Sequence, residues 1–143
     1  MSASSQDGTH PLRGVRVLIV EDSWQVAMAL KSMLRDRGMV ITGPTSKIAE
    51  AERLAVDEKP ELALVDLHLK GEMSWGLVDW LHQRGLRVIV LTGYAGLTPS
   101  LDRVHAIVQK PFGAQEVLER HLFPAALVAR PIHRAVGALP QHL

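Results

Sequence analysis

Apolar positions fall into short unbroken runs that alternate with stripes at helical spacing. Val15-Arg16-Val17-Leu18-Ile19-Val20 is a β-branched run and predicts a first strand, which ends on the adjacent acids Glu21 and Asp22. Asp22 or Ser23 then offers a helix N-cap. Val26, Leu30, Met33 and Leu34 recur along one face, so a helix is expected to about Arg37, stopped by Gly38. Met39-Val40-Ile41-Thr42 predicts a second short strand closed by Gly43-Pro44, and Ile48, Ala51 and Ala55 stripe a second helix that ends before Pro60. Leu62-Ala63-Leu64-Val65 is apolar without a helical stripe, the pattern of a strand buried on both faces. It runs into Asp66. A carboxylate is costly inside such a strand, so Asp66 is expected at its carboxyl end.

A loop over Leu69 to Ser74 is expected next, then a helix facing inward through Leu77, Val78 and Leu81 and stopped by Gly85. Arg87-Val88-Ile89-Val90-Leu91 predicts a fourth strand ending on Thr92. The rhythm then breaks. Gly93-Tyr94-Ala95-Gly96-Leu97-Thr98-Pro99 is poor material for a helix, and a fifth strand, Val104 to Val108, follows soon after. A parallel crossover needs roughly a dozen residues, so the fourth helix is expected to be short or missing. Gln109-Lys110-Pro111-Phe112 closes the fifth strand, and Ala114 to Leu122 predicts a last helix with Val117, Leu118 and Leu122 inward.

Strands alternating with helices imply a parallel sheet covered on both faces, an α/β fold with right-handed crossovers. Three segments are expected: a flexible N-terminal segment over 1–13, a folded domain over 14–123, and a C-terminal extension over 124–143 that is too short for an output domain. Leu127, Val128, Ile132 and Val136 of that extension offer a surface that packs back on the domain or a contact for a partner or a second copy, with a disordered tail as the third alternative.

Composition narrows the reading. The 143 residues suffice for one core, which should be aliphatic because 47% are hydrophobic and only 4% aromatic. A net charge of +1 gives no electrostatic case for nucleic acid. There are no cysteines, hence no disulfide and no thiolate metal site, and the seven histidines are scattered without metal-ligand spacing. No signal-peptide pattern or membrane-length apolar run is visible, so a soluble cytoplasmic protein is expected.

The strand ends now matter together. In open parallel sheets ligands bind outside the carboxyl ends of the strands. Glu21, Asp22, Asp66, Thr92 and Lys110 all fall there. Singly, each has an ordinary explanation: first-turn acids favouring a helix dipole, a capping Asp, a strand-end Thr, a solvated Lys. Jointly, three carboxylates crowded in one place require a cation, and Mg²⁺ suits carboxylates, a carbonyl, waters and a phosphate oxygen. The set matches phosphoryl transfer to a carboxylate, with Asp66 as nucleophile, Lys110 holding a phosphoryl oxygen and Thr92 bonding the phosphorylated form.

Val17-Leu18-Ile19-Val20-Glu21-Asp22, Leu64-Val65-Asp66, Val90-Leu91-Thr92-Gly93 and Lys110-Pro111-Phe112 resemble the motifs of the response-regulator receiver domain of two-component signalling, over about Val15 to Leu122. The resemblance implies a flavodoxin-like sheet of order 2-1-3-4-5. It implies that Asp66 accepts a phosphoryl group from a histidine kinase or histidine phosphotransfer protein. Asp22, Asp66 and the backbone carbonyl of His68 would ligate Mg²⁺, and Glu21 would act through water. A Lys110–Pro111 bond is often cis in such domains. Two features depart from the usual pattern. Ile107 stands where an aromatic switch residue is usual, and the fourth helix is degenerate. Both, with Leu91-Thr92-Gly93-Tyr94, resemble single-domain receivers carrying a Phe-Ala-Thr-Gly-X-Tyr ("FATGUY") motif. Here the match is partial: Val90-Leu91 replace Phe-Ala and Tyr94 follows Gly93 directly, and Tyr94 becomes the candidate replacement lever. His68 and Tyr94 are the positions expected to tune phosphate lifetime. The output would be protein–protein contact with an unknown downstream protein, with a homodimer possible. Two other classes compete: a haloacid-dehalogenase-like Mg²⁺-dependent phosphohydrolase, which wants Asp-X-Asp where this chain has Asp66-Leu67-His68, and a pseudo-receiver acting only as an interaction scaffold.

Overall fold

A computed structural model describes residues 12–93, 104, 106–110, 113 and 120 of the chain. The strands are β1 (Arg16–Val20), β2 (Val40–Thr45), β3 (Leu62–Asp66), β4 (His68–Leu69), β5 (Glu72–Met73), β6 (Arg87–Thr92) and β7 (Ala106–Gln109). The helices are α1 (Trp24–Asp36), α2 (Ile48–Glu58) and α3 (Trp75–Gln83). Five strands form one sheet in the order β2-β1-β3-β6-β7, every pairing parallel. With the small antiparallel hairpin β4–β5 set aside, this is the expected 2-1-3-4-5 order.

The apolar runs are continuous because both faces of the sheet are covered. Side chains alternate along each strand. Val17 and Ile19 of β1, Leu62 and Leu64 of β3, and Ile89 and Leu91 of β6 point to one face and pack with Leu30 and Leu34 of α1. Leu18 and Val20, Ala63 and Val65, and Val88 and Val90 point to the other, against Ala51 and Ala55 of α2 and Leu77, Val78 and Leu81 of α3. No helix among the described residues is long and apolar enough to cross a membrane.

Leu12 is buried in the core and the Gly14 amide donates to the Gly38 carbonyl at 2.8 Å. Three expectations need correction. The second strand does not close at Thr42 but continues through Gly43-Pro44 to Thr45. It does so by a bulge: Leu18 pairs with Thr42 and Val20 with Thr45, leaving one extra residue on β2. Gly43 makes the bulge possible. Its φ of +89° suits glycine, and a Cβ there would lie 3.0 Å from the Ile19 carbonyl oxygen. Pro44 is tolerated because β2 is an edge strand, where a missing N–H breaks no central ladder. The expected loop 69–74 carries the hairpin β4–β5, turned by Lys70 (φ 48°) and Gly71 (φ 86°). The fifth strand is Ala106–Gln109, two residues later than the Val104 start expected.

The shortened fourth helix, the last helix, the Lys110–Pro111 bond, Tyr94 and the 124–143 extension lie outside the described residues.

Candidate functional site

Strand pairing brings the polar residues to one rim. Val20 pairs with Val65, and Asp66 with Leu91, while Thr92 pairs with Gln109. Glu21, Asp66, Thr92 and Lys110 therefore sit at neighbouring strand ends. The bulge in β2 carries pairing to this rim, because the Glu21 amide donates to the Thr45 carbonyl at 2.9 Å. At the other side the Lys110 amide donates to the Thr92 carbonyl at 2.6 Å.

The side chains of Glu21, Asp22, Asp66 and Lys110 converge at this rim. Lys110 Nζ lies 3.0 Å from Asp66 Oδ2 and 3.1 Å from Glu21 Oε1. Glu21 Oε2 accepts from the Ser23 amide at 2.9 Å, and Asp66 Oδ1 accepts from the His68 amide at 3.1 Å. Glu21 and Asp66 are 3% and 4% exposed, whereas Asp22 is open to solvent. Asp22 is held from above: its Oδ2 accepts from the Lys70 amide at the hairpin tip, 3.0 Å away. One carboxylate oxygen from each of Glu21, Asp22 and Asp66 lies within 4.8 Å of the others. Thr92 is buried, and Gly93 is exposed with open space around its α-carbon.

These donors fit a hard divalent cation. All three are carboxylates, two are withdrawn from water, and the single ammonium of Lys110 is shared between Glu21 and Asp66 while Asp22 lies outside both pairs. Burial pushes the Glu21 carboxyl up to about 7; Asp66 adds to the rise, while the Ser23 amide and Lys110 oppose it. Burial also works against the Asp22 carboxylate, but hydrogen bonding, from the Lys70 amide foremost, overcomes it and holds the group below its ordinary value. Burial pulls Lys110 down, and the hydrogen bond to Asp66 with the nearby Glu21 charge more than restores it, so the ammonium is held above its ordinary range.

The Glu21 shift has a stability consequence with a definite sign. The fold binds this proton more tightly than the unfolded chain, whose value is 4.5. The resulting stability is complete below about 4.5 and lost as pH rises through about 7. The metal-free protein is expected to lose on the order of 2 kcal/mol from this group between pH 5 and 8. Thermal melts of wild type and Glu21→Gln across that range check it. Parallel pH profiles for the two proteins would contradict the assignment.

Two contributors were not legible as site residues. Ser74 directly precedes α3 and reads as an N-cap, yet it makes no side-chain cap bond. Instead its fully buried hydroxyl lies 2.7 Å from the Asp66 carbonyl and 3.0 Å from the Leu67 carbonyl, and its amide donates to Leu67 at 2.7 Å. It clamps the base of the hairpin beneath the phosphoacceptor candidate. The Lys70 amide is the other, and a backbone donor leaves no trace in side-chain chemistry.

Comparison with known proteins agrees with the geometry. The family model described as the response regulator receiver domain matches residues 17–122. The signal receiver domain of a protein described as a Luxo repressor from Vibrio parahaemolyticus is 25% identical, with a TM-score of 0.74 over 85% of this chain and 97% of that one. The PhyR receiver domain from Erythrobacter litoralis is 26% identical, with a TM-score of 0.70 over 82% and 94%. A CheY-like receiver domain protein from Methanospirillum hungatei is 25% identical, with a TM-score of 0.69 over 78% and 94%. No curated protein sequence matches the chain.

Proposed function

The chain belongs to the response regulator receiver family, and on that premise we propose that it is a phosphorylation-driven switch whose phosphoacceptor is Asp66. The observation that carries this is the single ammonium of Lys110, shared at 3.0 and 3.1 Å between Asp66 and Glu21, with Asp22 beside them at the same rim. The phosphoryl donor is a histidine kinase or histidine phosphotransfer protein. The N–P bond of its phosphohistidine breaks, the imidazole keeps the electron pair, and an O–P bond forms to an Asp66 carboxylate oxygen. Hydrolysis later returns the carboxylate and releases phosphate.

Mg²⁺ would be held by Asp22, Asp66 and the His68 carbonyl, with Glu21 acting through water, and when bound it neutralises charge on the acids and on the moving phosphoryl group. The chain's own groups do the rest. The His68 amide orients Asp66. Lys110 moves its ammonium from the carboxylate to a phosphoryl oxygen, and Thr92 donates its hydroxyl to the phosphorylated form. Ile107, half-buried against the apolar cluster below β7, is not an aromatic lever; in a FATGUY-type switch that role passes to Tyr94, with Gly93 as its pivot. His68 and Tyr94 then tune access of water to the acyl phosphate. The readout is contact with a downstream protein, in the cytoplasm, without nucleic acid.

Incubation with acetyl phosphate and Mg²⁺ followed by intact mass spectrometry tests the reading. One labile phosphoryl adduct per chain, mapped to Asp66, is expected. Absence of any adduct points to a scaffold, and turnover of external phosphomonoesters points to a phosphohydrolase; either overturns the proposal.

A further inference from the structure

The hairpin β4–β5 is a built unit whose two ends meet different parts of the site. At its base the buried Ser74 hydroxyl and amide hold the carbonyls of Asp66 and Leu67. At its tip the Lys70 amide reaches an acid 48 residues away in sequence, Asp22, at 3.0 Å. The tip is made for that reach. Lys70 adopts φ 48° and Gly71 φ 86°, and an antiparallel pair with His68↔Met73 and Leu69↔Glu72 fixes the turn above β3. A non-glycine residue in the left-handed region is uncommon and is maintained only where surrounding structure enforces it. Here it aims the N–H at the carboxylate.

Asp22 needs such a partner. Unlike Glu21 and Asp66 it is exposed, and neither of the ion pairs formed by Lys110 includes it. An exposed carboxylate samples several rotamers, and ordering it costs conformational entropy when a ligand binds. A donor on Oδ2 fixes the side chain, one oxygen of which lies within 4.8 Å of oxygens of Glu21 and Asp66.

We propose that the Lys70–Gly71 tip is a positioning element for Asp22, and that its backbone N–H, not the Lys70 side chain, sets the affinity of the site for a divalent cation. This rests on the reading of Asp22 as a metal ligand. Groups that orient a ligand typically change metal affinity by tenfold or more when removed.

The test separates backbone from side chain. Lys70→Asn loses the ammonium but keeps the N–H, and Asn tolerates the left-handed region. Lys70→Pro loses the same charge and the N–H together, and its fixed φ opens the turn. Gly71→Val strains the turn alone, since a side chain at residue 71 meets nothing within 4 Å. Mg²⁺ affinity is measured by calorimetric titration of the intact protein, with Asp22→Asn and wild type alongside and thermal melts to confirm folding. Lys70→Pro is expected to bind Mg²⁺ roughly tenfold more weakly than Lys70→Asn, with Gly71→Val between them. Equal or tighter binding by folded Lys70→Pro would overturn the proposal. Failure of wild type to bind, or undiminished binding by Asp22→Asn, would instead overturn the reading of Asp22 as a ligand. If Lys70→Pro does not fold, Gly71→Val decides: affinity equal to wild type overturns the proposal, and weaker binding upholds it.

Discussion

Asp66→Asn is expected to eliminate the phosphoryl adduct altogether while leaving the metal-free protein at least as stable as wild type. The chemistry is lost because an amide oxygen is no nucleophile toward phosphorus at neutral pH. The fold survives for electrostatic reasons. The amide oxygen that replaces Asp66 Oδ1 can still accept from the His68 amide, 3.1 Å away in the wild type. The new NH₂ group replaces Asp66 Oδ2 and gives up its 3.0 Å contact with Lys110, but the substitution also removes the carboxylate that raises Glu21's proton affinity. Lys110 retains its pairing with Glu21 at 3.1 Å. Mass spectrometry after acetyl phosphate treatment, paired with thermal melts without metal at pH 8, reads both halves. A residual adduct would move the phosphoacceptor elsewhere, and a clearly lowered Tm would show that Asp66 contributes to the fold more than it repels.

Lys110→Ala has the opposite balance. It removes the cation from a buried carboxylate, Glu21, and from Asp66 at once. Breaking a fully buried pair costs about 3–5 kcal/mol. The Lys110 side chain is 26% exposed, so part of the pairing is screened by water and roughly 2 kcal/mol at pH 8 is the better expectation. The loss should shrink toward pH 5, because Glu21 then takes up a proton and needs no cation. Chemical denaturation at the two pH values checks this. A pH-independent loss would mean that packing of the lysine stem, and not its charge, is what the fold uses. The same variant should bind beryllofluoride without carrying its effect to β7, so that amide shifts change around Asp66 but not along Ala106–Gln109.

The sheet and its rim were legible because both depend on patterns that local sequence must obey. Runs such as Leu62–Val65 can be apolar throughout only if both faces are covered, and an acid that closes such a run has nowhere to go but the edge. Asp66, Glu21 and Lys110 were placed together on that ground. What was not legible depends on backbone groups and long-range geometry. Gly43-Pro44 reads as a stop, and it becomes a bulge only because β1 lies alongside with the Ile19 carbonyl 3.0 Å from where a Cβ would stand. Lys70-Gly71 reads as loop, and its reach to Asp22 depends on the height of the rim. Ser74 has the sequence position of a cap, and only burial shows that it faces backward to the Asp66 carbonyl.

The bulge bears on assembly as well. An outermost strand with a free row of amides and carbonyls invites another chain to pair with it. Here that row is interrupted: Pro44 has no amide hydrogen to offer, and the inserted residue throws the remaining groups out of step with any straight neighbour. Two copies that come together along this border would find no continuous ladder to extend. Strand addition along the β2 border is thereby disfavoured.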